Sequence, residues 1–241
     1  MRALIIKEVT GFMGSLIGSI VILVFLTITG LFLWIFPGNL LDLGYTDLAP
    51  LFSLAPWIFM FLVPAVTMRS ISEERRTGTM ELLLTRPLTE WHIVAAKFIA
   101  AVVLVLLALL PTLVHVYALN ELGIPKGNMD MGATWGSYLG LFFLAMIFCA
   151  IGVFASSLTD SQVIAFLIAL LLCFVLYSGF DLMASFDALG GMEGTVRGFG
   201  VQEHYRSISR GVVDLRDVTY FLAVALGFLL AARTVLQSRT W

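Results

Sequence analysis

Three side chains within apolar stretches of the sequence could take part in chemistry: His115, Cys149 and Cys173. An ionisable histidine inside a membrane-length segment is a functional candidate by default. The alternative, which we favour, is a neutral histidine hydrogen-bonded across a helix bundle. A cysteine inside an apolar block packs as a small residue more often than it forms a disulfide or binds a metal. We therefore predict no catalytic residue, no metal ligand and no cofactor bound by this chain.

Motifs for nucleotide binding or hydrolysis do not occur in the chain. It contains no G-x-x-x-x-G-K-[ST], H-E-x-x-H or G-x-S-x-G segment. Glu73 and Glu74 match the start of the E-E-x-x-x-R pattern of intramembrane proteases. However, Gly78 occupies the arginine position, and the pair lies in a charged stretch rather than an apolar one. An enzyme is therefore not expected.

The composition indicates an integral membrane protein. Of the 241 residues, 60% are hydrophobic and 12% are charged, and the mean hydropathy is +0.99. That charge fraction is about half of what a soluble domain carries. Apolar stretches near twenty residues are long enough to cross a bilayer as helices. We predict one all-α domain over residues 1–241 with six transmembrane helices, at 16–36, 51–68, 90–119, 135–156, 163–180 and 218–236.

The segments outside these spans are also assigned. Residues 1–14 are predicted to form an interfacial helix before the first span, and residues 181–217 an outer loop with short helices. Pro111 is expected to kink the third span. Lys and Arg near span ends concentrate on the side that holds both termini and the connection between spans two and three. Because cytoplasmic connections carry the excess of Lys and Arg, both termini are expected on the cytoplasmic side.

The charged stretch from Ser70 to Lys97 separates the second span from the third, so it must face water. Ser70 and Glu73 have the spacing of a capping box, which predicts a helix start there. Gly78 can then turn the chain.

The second half of this stretch is predicted to form a short surface helix. Thr79 can cap a helix over residues 80–85, and Pro87 stops it. Thr89 can cap the third span, with Glu90 in its first turn, where the helix dipole favours an anion. The residues alone leave an alternative open: the arginines only fix the topology, and the leucines lie on lipid.

Residues 73–100, EERRTGTMELLLTRPLTEWHIVAAKFIA, resemble the signature of ABC-2 type transporter permeases. The matching features are an acidic-basic cluster, a G-T-x-E-x-L-L segment, a proline-containing turn and a lysine that opens the next span. Residues 31–74, 176–181 and 204–221 resemble the gliding-motility-associated (GldF-type) subgroup. These segments favour that subgroup over the similar copper-related permeases of nitrous oxide reductase maturation. The resemblance covers essentially the whole chain.

This resemblance implies an ABC-2 (type V exporter-like) permease architecture that works with a separate ABC ATPase, which binds ATP and Mg²⁺. The segment 70–90 would act as a coupling helix in a groove of that ATPase, and the connection between spans four and five would make a smaller contact. The implied coupling residues are Glu73, Glu74, Arg75, Arg76, Thr77, Gly78, Thr79, Met80 and Glu81. The implied second contact consists of Ser156, Ser157, Leu158, Thr159 and Asp160.

The implied function is that of a permease subunit that couples ATP hydrolysis by its partner to substrate export, or to a gliding or secretion machinery. Its location would be the cytoplasmic (inner) membrane of a bacterium. Its second permease would be another copy, or a permease-like subunit with a large outer domain, and no nucleic acid partner is expected. Two alternatives remain: a non-transporting membrane scaffold, and a copper-related permease. The sequence predicts no substrate.

Overall fold

The apolar blocks form long helices in the computed structural model of the chain. The structure describes residues 1–42, 44–80, 89–185 and 193–238, and within these ranges it contains helices and turns but no strand. The α-helices are α1 (Arg2–Met13), α2 (Leu16–Trp34), α3 (Ala49–Thr67), α4 (Ser72–Arg76), α5 (Glu90–Leu109), α6 (Leu113–Leu122), α7 (Met131–Leu158), α8 (Gln162–Phe174), α9 (Phe180–Ala184), α10 (Glu193–Arg197), α11 (Val201–Ile208) and α12 (Leu215–Gln237). The all-α prediction is confirmed.

Within the described residues, five helical stretches are long and apolar enough to cross a membrane. They are Ala49–Arg76, Glu90–Leu122, Met131–Leu158, Gln162–Ala184 and Leu215–Gln237. A sixth is counted when α1 and α2, which meet at 65°, are taken as one broken span. The predicted number of six spans agrees with the structure if this bent pair is one span, although the prediction placed residues 1–14 outside the first span.

Helix α7 is the centre of the bundle. It packs against α3, α5, α8, α11 and α12. The membrane-length part of α7 is 72% buried, against 22% for α12. Two ring pairs, Phe143 with Phe221 and Phe154 with Phe228, show that α12 runs beside α7 in the same direction. The carboxyl ends of α7 and α12 therefore lie at the same end of the bundle as α4. We call this the α4 end and the opposite one the α11 end.

Two of the long stretches change their helical geometry along their length. Residues Leu110–Thr112 form a 3₁₀ turn between α5 and α6, as expected because Pro111 has no N–H for the α-helical ladder. Residues Val175–Gly179 form a π turn between α8 and α9. The 3₁₀ turn lies at the proline for which a kink was predicted, whereas the π turn was not predicted.

Two glycines four residues apart let α11 lie directly on α7. A Cβ added to Gly136 would lie 2.7 Å from Cα of Gly211, and one added to Gly140 would touch the ring of Tyr205. A G-x-x-x-G pattern permits such a close approach of helices. Here the contact is made within one chain, and it holds the 201–211 segment over the amino-terminal half of α7.

Candidate functional site

The charged stretch after α3 forms a tight corner at the α4 end. Gly78 has φ +70°, the left-handed region that favours glycine, and its N–H donates to the Arg75 carbonyl. The expected turn at Gly78 is confirmed. The predicted capping box is wrong, because α4 begins at Ser72 and the residue before it, Ile71, makes no side-chain cap. Glu73 instead accepts two hydrogen bonds from the Arg69 guanidinium, at 3.0 and 3.1 Å.

A serine distant in sequence caps the amino terminus of α4. Ser156 Oγ accepts hydrogen bonds from the backbone N–H of Ile71 at 2.9 Å and of Ser72 at 3.0 Å, and it donates to the Met68 carbonyl at 3.0 Å. Ser156 is fully buried. This hydroxyl therefore joins the start of α4 to the end of α7.

Arg75 makes a second connection between the same elements. Its Nη1 donates to the carbonyl oxygen of Ser157, which is also fully buried. The structure thus brings together the two segments for which partner contacts were predicted, although some 80 residues separate them in the sequence. Ser156 and Ser157 serve this internal joint and are not available to another protein.

The predicted coupling residues divide into an exposed set and an inward-facing set. Glu74 and Met80 are buried, Glu73 and Arg75 are half-buried, and Glu81 lies outside the described residues. Residues 76–79 are exposed. In the second predicted contact, Leu158 and Thr159 are half-buried and Asp160 is exposed. Among the described residues of these two segments, those open to a partner are 76–79 and 158–160, which we call the tip.

A buried ion-pair cluster lies directly behind the tip. Lys97 Nζ is 2.8 Å from Glu74 Oε2 and 3.0 Å from Glu8 Oε1. The Lys97 side chain is 1% exposed. Lys7 Nζ adds a longer contact of 3.4 Å to Glu74 Oε1. Since Glu8 lies on α1, Glu74 on α4 and Lys97 on α5, the cluster ties three helices together.

The sequence analysis did not predict that these charged residues form one cluster. Lys97 was recognised only as the basic residue that opens the third span, and Glu74 only as part of a charged surface. The signal was present, since Lys97 lies seven residues beyond the first residue of that span and a cation at such depth requires an anionic partner. The correction for Glu74 is that it faces inward to neutralise this ammonium.

Thr89 caps α5 as predicted. Its hydroxyl accepts a hydrogen bond from the His92 N–H, and the His92 side chain in turn accepts one from the Thr89 N–H. Glu90 lies in the first turn of α5. The remaining part of the predicted surface helix, residues 81–85, lies outside the described residues.

The other three side chains considered for chemistry, His115, Cys149 and Cys173, have contacts that serve packing. The Trp34 indole N–H donates to His115 Nδ1 at 3.0 Å, so this nitrogen carries no proton and the histidine is neutral. The preferred reading of His115 is therefore confirmed. Cys149 and Cys173 are buried with free thiols, which confirms their role as packing residues.

Polar contacts that were not predicted hold the segment 193–208 against the spans at the α11 end. His204 Nδ1 lies 2.7 Å from Asp217 Oδ1, and its Nε2 lies 3.0 Å from the Gly198 carbonyl oxygen. The Tyr205 hydroxyl donates to the Phe52 carbonyl at 2.7 Å. Burial raises the pKa of Tyr205 well above its usual value, so this hydroxyl keeps its proton.

Replacing Ser156 with alanine tests whether the α4–α7 joint depends on this hydroxyl. The backbone N–H groups of Ile71 and Ser72 would lose their acceptor while remaining buried, at a cost of about 2 kcal/mol. Ser157→Ala is the matched control, because among the described residues the Ser157 hydroxyl bonds only to the Phe154 carbonyl of its own helix. We expect the free energy of unfolding in detergent to fall for Ser156→Ala and to stay near wild type for Ser157→Ala. Equal losses would contradict the role given to Ser156.

The region that contains this site matches a known protein family. Residues 42–194, more than half of the chain, match the model of a family described as ABC-2 family transporter protein. A comparison with curated proteins gives no match. The matched region includes α3, α4, α5 and α7, and hence both segments of the tip. The chain therefore belongs to the ABC-2 transporter family, whose members are multi-pass membrane components of ABC transporters.

Proposed function

We propose that this chain is the permease subunit that couples ATP hydrolysis by a separate ABC ATPase to movement of its membrane helices. The tip docks on the ATPase, with residues 76–79 making the main contact and residues 158–160 the smaller one. The observation that carries this proposal is the joint through Ser156 and Arg75, whose hydrogen bonds tie together two exposed segments from different parts of the chain.

The contacts behind the tip provide a route for force. A push on α4 reaches α7 and α8 through Ser156, which bonds the start of α4 at the point where α7 turns into α8. The same push reaches α1 and α5 through the pairing of Glu74 with Lys97. Because packed cores transmit displacement and do not absorb it, closure of the ATPase would move α1, α5, α7 and α8 together. ATP and Mg²⁺ act in the partner ATPase and not in this chain.

The family and the resemblance to GldF-type permeases support a proposal for the assembly. We propose that the chain pairs with a second permease, either another copy or a permease-like subunit with a large outer domain. The complex lies in the cytoplasmic (inner) membrane of a bacterium, with the α4 end and both termini in the cytoplasm. It serves export or a gliding or secretion machinery.

Gly78→Pro is the variant that tests docking. Proline holds φ near −65° and lacks the N–H that Gly78 donates to Arg75, so the corner between residues 76 and 79 cannot form. We expect ATPase binding about tenfold weaker or worse, with the spans intact, since loss of a central contact costs more than 1 kcal/mol. Co-purification of the ATPase and its stimulated hydrolysis rate measure the effect.

Gly127→Pro is the matched control. Gly127 also has φ in the left-handed region, +79°, and it donates its N–H to a carbonyl, that of Asn120, but it lies at the α11 end. This variant is expected to retain ATPase binding. Unchanged binding by Gly78→Pro would contradict the docking assignment. Binding without any effect on the hydrolysis rate, and without nucleotide-dependent movement between helices, would favour the non-transporting scaffold.

A further inference from the structure

A cavity of about 440 Å³ lies at the α4 end between α1, the corner from α3 to α4, and α5. Pockets that hold small ligands begin at about 300 Å³, so this one has room for a headgroup. One wall of the cavity is apolar, and the small side chains in it leave the volume unfilled. This wall includes Gly11, Phe12, Val66, Ala101 and Leu104.

The mouth of the cavity carries equal numbers of cationic and anionic side chains. They are Lys7, Arg69, Lys97, Glu8, Glu73 and Glu74. Lys97 is turned inward, but the Lys7 side chain is 65% exposed and that of Glu73 is 37% exposed. These charges are paired with one another: Arg69 with Glu73, and Lys97 and Lys7 with Glu8 and Glu74. The lining is therefore neutral as a whole. A ligand that carries one charge of each sign can exchange with these pairs without leaving a net charge, whereas a ligand of a single sign cannot.

Hydroxyl groups line the same opening. Ser70 Oγ is shielded from solvent and has no hydrogen-bond partner among the described residues. Thr77 and Thr79, whose hydroxyls lie 3.0 Å apart, also line the cavity. A buried hydroxyl without a partner is uncommon in folded proteins and is explained when a ligand or water supplies the missing bond.

The cavity also lies where a lipid would meet it. Helices α3 and α5 cross the membrane, and α1 bends by 65° from α2 at the same end. The polar mouth therefore stands at the end of the spans, and the apolar wall continues along them from Val66 and Leu104. A ligand with a charged head and a hydrocarbon tail can satisfy both regions at once.

We propose that this cavity binds phosphatidylethanolamine. Its ammonium group donates hydrogen bonds to the carboxylates of the mouth, and its phosphate lies beside Lys7 and Arg69. An acyl chain follows the wall formed by Phe12, Val66 and Leu104. Phosphatidylcholine has no N–H to donate, and phosphatidylglycerol has no cation to offset the carboxylates, so both are disfavoured. This inference goes beyond the proposed function, since it requires only that the chain crosses a membrane.

The test uses the purified chain without an ATPase, in phosphatidylcholine nanodiscs that contain a trace of phosphatidylethanolamine with a photoactivatable acyl chain. After irradiation, mass spectrometry maps the labelled peptides. We expect the label on peptides that contain Phe12 and Leu104. Unlabelled phosphatidylethanolamine should compete about tenfold better than phosphatidylcholine or phosphatidylglycerol.

Three variants sharpen the result. Ala101→Trp fills the cavity, and Lys7→Glu removes the exposed cation of the mouth without altering a buried residue, so both should reduce cavity labelling about tenfold. Leu226→Trp, on an exposed position of α12, is the control and should leave the labelling unchanged.

Three outcomes would overturn the proposal. Equal competition by phosphatidylcholine would mean ordinary annular lipid, and preferential competition by phosphatidylglycerol would mean an anionic lipid. Equal competition by soluble glycerophosphoethanolamine would mean a water-soluble ligand. Since the ATPase is absent, none of these outcomes bears on docking, which the Gly78 and Gly127 variants decide.

Discussion

Lys97→Met is expected to lower the free energy of unfolding by about 3–5 kcal/mol, the usual cost of removing one partner from a buried ion pair. The ammonium of Lys97 is 1% exposed and is the nearest cation to both Glu8 and Glu74. Its removal leaves the two carboxylates with only the longer contacts to Lys7, 3.4 Å to Glu74 and 3.7 Å to Glu8. Because methionine has a similar length, the effect reports the lost charge and not a cavity.

The same variant is expected to uncouple the ATPase. Lys97 is the ionic link from α4 to α5, and α4 keeps only the 3.4 Å contact of Glu74 with Lys7 on α1. Motion of the tip should therefore no longer reach α5. Unfolding of the purified chain in detergent measures the first effect. ATPase stimulation, together with a distance measured between spin labels on α1 and α5, measures the second. Stimulation that persists in a folded Lys97→Met protein would contradict this route for force.

An exposed ion pair provides the control for Lys97. Lys126 Nζ lies 2.8 Å from Glu121 Oε2, the same distance as in the buried pair, but the two side chains are 72% and 46% exposed. Exposed pairs contribute between 0 and about 1 kcal/mol, so Lys126→Met should change the stability little. Lys97→Arg should recover part of the loss, since it retains the charge but must fit a larger group into the same space. If Lys126→Met and Lys97→Met lost equal stability, burial would not explain the effect.

Local patterns in the sequence predicted what local physics determines. The long apolar blocks predicted the helices because a helix satisfies its backbone polar groups within one segment, as hydrocarbon requires. Thr89 predicted the start of α5, Pro111 the break after it, and Gly78 the turn, since each acts through its own backbone or that of close neighbours.

The features that the sequence did not reveal depend on contacts between distant residues. Ser70 has the spacing of a cap, yet the N–H groups at the start of α4 bond to Ser156, more than 80 residues away. Glu74 and Glu73 are adjacent and chemically alike, but only the packing of α5 decides that Glu74 turns inward to Lys97. The sequence alone does not say which of several possible partners a side chain takes, because that depends on which distant residues pack against it. For this reason the tip contains fewer residues than the predicted coupling segment.

Gly136→Leu is expected to destabilise the chain by about 3 kcal/mol, near the upper end of what overpacking costs. A Cβ at this position would lie 2.7 Å from Cα of Gly211 and 3.2 Å from the Ile208 carbonyl oxygen. Both are backbone atoms, so no side chain can rotate away to make room. The strain should separate α11 from α7, and with it the contact of Tyr205 to Phe52.

Gly227→Leu is the matched control for this substitution. Gly227 lies within α12, is exposed, and has nothing within 4 Å of an added Cβ. Replacing an unhindered helical glycine removes its entropic cost, so a small gain of about 0.5–1 kcal/mol is expected. Hydrogen exchange distinguishes local from global effects: amides of residues 201–208 should lose protection in Gly136→Leu before those of α7. If these amides stayed protected while the whole bundle weakened, the glycine contact would serve general packing and not the attachment of α11.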